Sequence, residues 1–294
     1  MIPNRIHFIF GLKPDFGGKP FSYVHYLAVK SAAAVNRPDE IIMHAAHEPA
    51  GPWWEAAKPL FILNRVTPPD EIFGRVLTSF AHKADALRMQ ILAAEGGIYL
   101  DLDTFCVNSF APLRGHDAVL GREPGAGLCN AVMLASPKSD FITQWLEQYR
   151  SFDSAVWNRH SVQLPFRLAQ AAPHAIHVVD EFSFFFPHFS DPKSDWLWRK
   201  EIPATAWARG LARGCRHALR ALAGDATYRS GPSLRSGLGS RDWYQRRMRE
   251  AYCLHLWESL WWEPRLKTLS PETLRASSGL FAALVKTVLP DEIR

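Results

Sequence analysis

No run of about 18 consecutive apolar residues occurs anywhere in this chain, which excludes a transmembrane helix by length. Cysteine is scarce: Cys106, Cys129, Cys215 and Cys253 are far apart in sequence, and none forms a C-x-x-C pair. A zinc cluster and a disulfide framework are therefore not expected, and the four read as buried free thiols in a reducing compartment. The opening stretch from Met1 to Phe10 lacks a basic segment followed by an apolar one and reads as a first core strand, not a secretory leader. The resulting expectation is a cytoplasmic protein. There is no internal repeat. Lysine is missing from residues 204–249, where ten arginines face only Asp225 and Asp242. That segment carries +8 of a total charge of +5, so the remainder carries −3. Basicity confined to one region argues against a nucleic-acid-binding fold.

With 294 residues, 47% hydrophobic and 21% charged, the chain has the make-up of a folded α/β protein with a sizeable core. Ile6 to Phe10 is a short apolar run ending at Gly11, and Glu40 to Ala45 is a second strand. Between them Tyr23 to Val35 reads as a helix stopped at Asn36-Arg37-Pro38. Pro68-Pro69 marks a loop. Phe80 to Glu95 reads as a helix with Ala81, Ala84, Leu87, Ile91 and Ala94 on one face. Gly96-Gly97 ends it, and Ile98-Tyr99-Leu100 follows as a strand. Ala118 to Arg122 and Ala131 to Leu134 are further strands, and Phe141 to Tyr149 is a further helix. Alternating elements predict a layered α/β fold around a mainly parallel sheet. Beyond Phe182 the pattern loosens into an aromatic cluster and the arginine-rich segment.

The chemistry-bearing signal is Asp101-Leu102-Asp103, directly after an apolar strand. Alternate residues of a strand point to the same side, so both carboxylates reach one place and Leu102 is directed away. Carboxylates at the C-terminal end of a strand lie where α/β sheets bind ligands, and hard divalent cations take oxygen ligands. The preceding helix carries Asp85 and Arg88 one turn apart, a spacing that also suits a plain surface ion pair. His7 reads as structural at its strand end. His44, His47 and His82 lack metal-ligand spacing. His255, between two leucines, reads alone as a core histidine, and Trp257, Trp261 and Trp262 as packing residues.

Asp85-x-x-Arg88 followed by Gly96-Gly97-Ile98-Tyr99-Leu100-Asp101-Leu102-Asp103 resembles the D-x-D region of the sugar-binding-region glycosyltransferases. These include initiating mannosyltransferases, α1,4-galactosyltransferases and, more distantly, glucosylating toxins. Ile2-Pro3-Asn4-Arg5-Ile6-His7, Leu128-Cys129-Asn130-Ala131 and His255-Leu256-Trp257 resemble further family stretches in the same order. Ala84 departs from the family's Ser or Thr, and residues 204–249 match nothing in it. The resemblance implies one GT-A-type (Rossmann-like) domain over 1–294. Residues 1–150 would form the nucleotide-sugar-binding core and 151–294 the acceptor side and an irregular, closing C-terminal region. It implies a hexosyl transfer that retains anomeric configuration, in polysaccharide biosynthesis, from a nucleotide-sugar donor to a glycan, lipid-linked or protein acceptor. Asp103 and Asp101, with His255, would hold Mn²⁺ or Mg²⁺. Asp85, Arg88, Asp101, Asn130 and Trp257 would face the donor, with Asp101, Asp103 and Asn130 at the reacting centre.

Two other readings compete. Asp101-Leu102-Asp103-Thr104 fits the D-x-D-x-T motif of haloacid-dehalogenase-type phosphohydrolases, with Asp101 as nucleophile. That fold opens with its motif and needs a later Gly-Asp-x-x-x-Asp, which this chain lacks. The alternative is a catalytically dead scaffold that docks on membranes. Trp207, Leu211, Cys215, Leu219 and Leu222, with arginines between them, have the spacing of a basic amphipathic helix that could touch an anionic membrane peripherally.

Overall fold

The computed structural model describes residues 1–155, 157–191, 193–205, 208, 212, 215 and 239–293. Its first half runs β1 (Arg5–Phe10), α1 (Tyr23–Asn36), β2 (Glu40–Ala45), α2 (Pro52–Ala57), β3 (Ile62–Arg65), the hairpin β4 (Glu71–Ile72) and β5 (Arg75–Val76), α3 (Phe80–Glu95), β6 (Gly97–Leu100) and β7 (Thr104–Cys106). There follow β8 (Ala118–Glu123), β9 (Gly127–Ala135), α4 (Asp140–Glu147), α5 (Leu164–Ala171), β10 (His177–Val179) and α6 (Glu181–Phe184). The C-terminal part holds α7 (Arg241–Glu250), β11 (Cys253–His255), α8 (Glu258–Trp261), α9 (Pro271–Ala276) and α10 (Leu280–Val288).

Seven strands form one sheet in the order β10-β8-β9-β6-β1-β2-β3. Every pair is parallel except those made by β9, which runs antiparallel to both β6 and β8. The central strands are buried along their whole length, as expected where both faces of a sheet are covered. Alternate residues divide between two apolar clusters: Ile98 and Leu100 join one, Tyr99 the other. Helices α1 and α10 belong to the first cluster, α3 and α4 to the second. This is the layered α/β architecture expected from the sequence.

Most elements lie where the periodicity puts them. The buried face of α3 does not. It is built from His82, Ala86, Arg88, Met89, Ile91 and Leu92, while Ala81 and Ala94 are exposed. A buried arginine and histidine replace alanines on the inward stripe, so hydrophobicity alone rotated the expected face. Cys215 is exposed, contrary to the expectation for all four thiols, while Cys106, Cys129 and Cys253 are buried and free. Of the amphipathic stripe, Trp207, Leu211, Leu219 and Leu222 lie outside the described residues. No helix among the described residues is long and apolar enough to cross a membrane.

Candidate active site

The carboxylate pair is positioned by a chain of short-range constraints. Helix α3 stops at Gly96, whose φ of 66° favours glycine. A Cβ there would stand 2.5 Å from the Pro137 nitrogen. From this tight turn β6 enters the sheet and ends at Leu100. Asp101 and Asp103 do not continue the strand: residues 101–103 form a turn closed by Thr104 N–H donating to Asp101 O at 3.0 Å. The convergence of the two acids therefore comes from a turn between β6 and β7, which corrects the expected strand alternation. Leu102 is buried, which holds the turn down.

Antiparallel pairing of β11 with β7 puts His255 beside this turn. His255 Nε2 lies 3.2 Å from Asp103 Oδ1, and the Glu258 N–H donates to Asp103 Oδ2 at 2.7 Å. Trp257, at φ 53°, turns the chain from β11 into α8 so that this amide reaches the carboxylate. Its ring does not lie open. It is buried in a nest with Phe185, His188, Phe189 and His255. Burial works against ionisation of Asp103, but His255 and the Glu258 amide outweigh it and bring its pKa to about 2. Burial likewise lowers His255, yet the adjacent Asp103 carboxylate prevails and its pKa is raised.

Behind the acids sits Arg88, 6% exposed. Its Nη1 reaches Asp101 Oδ1 at 3.1 Å and the Asn130 carbonyl at 2.9 Å, and its Nη2 lies 3.6 Å from Asp85 Oδ1. Its plane stacks on Tyr99, whose hydroxyl donates to Asp101 Oδ1 at 2.7 Å. Asn130 Nδ2 in turn donates to Asp85 Oδ1 at 2.7 Å. Burial raises the Asp101 pKa, against the pull of Arg88. Asp85, Arg88, Asp101, Asn130 and Tyr99 thus form one network, so the i, i+3 pair is more than a surface salt bridge.

Sequence reading missed four participants. Tyr99 carried only a strand signal. Glu258 contributes a backbone N–H, which no motif marks, and its side chain ties His25 of α1 at 3.0 Å. Glu123, buried on β8, lies 3.6 Å from His188 and acts electrostatically on both Cys129 and His255. His188 packs on Trp257. Tyr99 and Glu258 lie beside motif residues but carry no signal of their own; Glu123 and His188 are brought to the site only by tertiary packing.

Asp101, Asp103 and His255 offer ligand atoms all within 4.8 Å of one another. Two carboxylates and an imidazole suit a divalent cation of the Mg²⁺ to Mn²⁺ range, and an acid with a pKa of about 2 stays ionised to meet it. The Nδ1 of His255 is buried without a hydrogen-bond partner, so nothing holds the ring in one tautomer from behind. The set fits such an ion.

A layered α/β chain with an aspartate pair at the end of a central strand, backed by a buried arginine and an asparagine, has the site plan of a nucleotide-sugar-binding domain. Residues 28–120 match the family model described as "Glycosyltransferase sugar-binding region containing DXD motif". That stretch of the chain, which holds Asp85, Arg88, Asp101 and Asp103, is similar to this glycosyltransferase family. The chain is 38% identical over 200 residues to "Glucan organizing enzyme 1" of Cryptococcus neoformans var. grubii, a match covering 64% of this chain and 55% of that protein. It is 35% identical over 71 residues to "Mannosyl phosphorylinositol ceramide synthase SUR1" of Saccharomyces cerevisiae, covering 24% of this chain and 19% of that one. The chain thus spans about half or less of the curated relatives it matches. Among solved structures it is similar to "PaToxG Glycosyltransferase", at 16% identity with a TM-score of 0.42, covering 86% of this chain and 89% of the other. It is also similar to the galactosyltransferase LgtC bound to donor and acceptor sugar analogs, at 14% identity with a TM-score of 0.37, covering 85% and 86%.

Proposed function

We propose that this chain transfers a hexosyl group from a nucleotide sugar to an acceptor hydroxyl, with a divalent cation held by Asp103, Asp101 and His255 and with retention of anomeric configuration. The observation that carries the reading is the meeting of those three ligand side chains at one turn, backed by the Arg88–Asp85–Asn130 network. When bound, the cation supplies positive charge to the leaving diphosphate, where negative charge grows as the sugar–phosphate bond breaks.

The protein's own residues do the rest. Arg88 serves the donor from behind: with its guanidinium committed to Asp101, Asp85 and the Asn130 carbonyl, it fixes both acids at set positions. Asp85 accepts from donor-sugar hydroxyls. Asn130 spends one amide N–H on Asp85 and has a second N–H and an acceptor oxygen to offer the sugar. Hydroxyl contacts that tighten as the sugar becomes oxocarbenium-like lower the barrier. Trp257 closes the site by carrying the Glu258 amide to Asp103, and its ring acts through packing. Residues 1–150 supply the donor side and 151–294 the acceptor side.

The test is a donor panel of UDP-glucose, UDP-galactose, UDP-N-acetylglucosamine and GDP-mannose, each with Mn²⁺, with Mg²⁺ and with EDTA. The relatives' names add mannosyl donors, phosphorylinositol-ceramide acceptors and glucans to the panel. Metal-dependent release of nucleotide from one donor, and a product with the donor's anomeric configuration, are the expected results. Turnover that persists in excess EDTA refutes the metal assignment.

A further inference from the structure

A second polar cluster lies apart from the acid turn. An open groove of about 510 Å³ runs between Leu197–Arg199, the residues after α8, and helices α9 and α10. Arg199 and Arg265 both line it, and both bond the same carboxylate. Arg199 Nε is 3.0 Å from Asp195 Oδ2, and Arg265 Nη2 is 3.2 Å from Asp195 Oδ1. Asp195 is buried and is paired with both guanidiniums. Arg265 turns Nη1 to the Pro264 carbonyl, and its Nε is buried with no hydrogen-bond partner among the described residues. An unmet donor on a charged, buried group is costly and invites an acceptor. Hydroxyl-bearing Thr268, Thr273, Ser277 and Ser278 line the same groove.

The rim adds more positive charge. The Lys200 N–H donates to Ser278 Oγ, and Arg241 donates to the carbonyls of Arg199, Lys200 and Ser278. The groove also shares a chain segment with the acid turn: α8 begins at Glu258, whose amide holds Asp103, and leads directly to Arg265.

We propose that this groove binds a phosphate group through Arg265 and Arg199 and, resting on the transferase reading, that the phosphate belongs to the acceptor. Guanidinium forks match the tetrahedral oxygens of phosphate, and the Ser278 hydroxyl, which accepts from the Lys200 N–H, can donate to the remaining oxygen. The groove is far larger than an inorganic ion, so it admits a phosphate with a substituent attached.

The test uses the whole chain in EDTA without donor, so that it is independent of sugar transfer. Inorganic phosphate is titrated calorimetrically against chloride of equal ionic strength. Saturable binding is expected, weakened at least tenfold by Arg265→Gln and by Thr268→Glu and unchanged by Asp103→Asn. Thr268 is exposed, so its variant introduces a negative charge without disturbing the Asp195 pairs. Vesicles of phosphatidylcholine, with or without phosphatidylinositol, separate the sources. Recruitment by the anionic lipid that free phosphate displaces assigns the site to a lipid headgroup; phosphate binding without recruitment assigns it to a soluble phosphate ester. No saturable phosphate binding, or binding undiminished in both groove variants, or binding lost in Asp103→Asn, overturns the proposal. Transfer activity without phosphate binding would refute this site alone, and phosphate binding without transfer would refute only the reading of the site as a transferase's.

Discussion

Acidification should destabilise this protein through one pair of buried histidines. His7 of β1 and His44 of β2 are almost fully buried, and their rings meet with Nδ1 of His7 3.0 Å from Nε2 of His44. Asn64 Nδ2 lies 3.0 Å from His44 Nδ1, and His7 Nε2 lies 3.1 Å from the Gly96 carbonyl. Only one assignment satisfies all three contacts: Asn64 donates to His44, His44 donates to His7, and His7 donates to Gly96. Both imidazoles are then neutral, and a proton added to either would set two N–H groups against each other or against the Asn64 amide. Burial, reinforced by mutual repulsion, brings the His7 pKa from 6.5 to about 3, and burial brings that of His44 to about 4. The unfolded chain takes up these protons near pH 6.5 and the folded chain does not, so their contribution is complete above pH 6.5 and is lost as pH falls below it. Over the 1.5 units from 6.5 to 5, at about 1.4 kcal/mol per unit, each histidine withdraws about 2 kcal/mol, or about 4 kcal/mol for the pair. Urea unfolding at pH 7.5 and pH 5.0 measures the total. His160 is also depressed, to about 4, so the comparison is with His44→Gln, whose loss between those pH values should be smaller by about 2 kcal/mol. Imidazole resonances of His7 and His44 that titrate near 6.5 in the folded protein, or an unchanged pH dependence in His44→Gln, would refute the reasoning.

Three further outcomes follow from the acid turn and its supports. Asp103→Asn keeps an acceptor for the Glu258 amide but removes the charge; kcat should fall by about 10²–10⁴, measured with the preferred donor and Mn²⁺, and the melting temperature should drop too, because His255 loses its carboxylate partner. Arg88 is buried among two carboxylates, a carbonyl and the Tyr99 ring, so Arg88→Lys should cost about 2–3 kcal/mol in denaturant unfolding as well as impair transfer. Gly96→Ala must hold a φ of 66° with its Cβ 2.5 Å from the Pro137 nitrogen, and should lose about 3 kcal/mol or more; a soluble variant with unchanged unfolding midpoint would show that the turn yields.

Much of the first half of the chain was legible because its signals are local. Helix α3 begins at Phe80 and ends at Glu95 as read, since a serine N-cap and a glycine C-cap bound an apolar-periodic run. Strands β1, β2 and β6 announced themselves as short apolar runs. The aspartate pair and its link to Asp85 and Arg88 were visible because all four lie within one helix–turn–strand unit. The inward face of α3 was not, because its stripe includes Arg88 and His82, which no hydrophobic count selects. The character of the 101–103 turn was likewise hidden, since an apolar strand followed by D-x-D reads equally as strand or turn.

The separation between what the sequence determined and what the fold decided follows contact distance along the chain. Residue spacing determined the α/β order of elements, the end of α3 at two glycines and the candidacy of Asp101 and Asp103, because each depends on backbone preferences within a few positions. Tertiary structure decided that His255 and Glu258 meet Asp103 across more than 150 residues of chain, which required β11 to pair with β7. It decided that Cys253 faces Cys106 directly across that pair and that Glu123 and His188 stand beside His255. It also decided that Asp195 is shared by two arginines on the far side of α8. Local propensity carries no information about such pairings; they are selected by burying both faces of a seven-stranded sheet at once, a condition only the whole chain can meet.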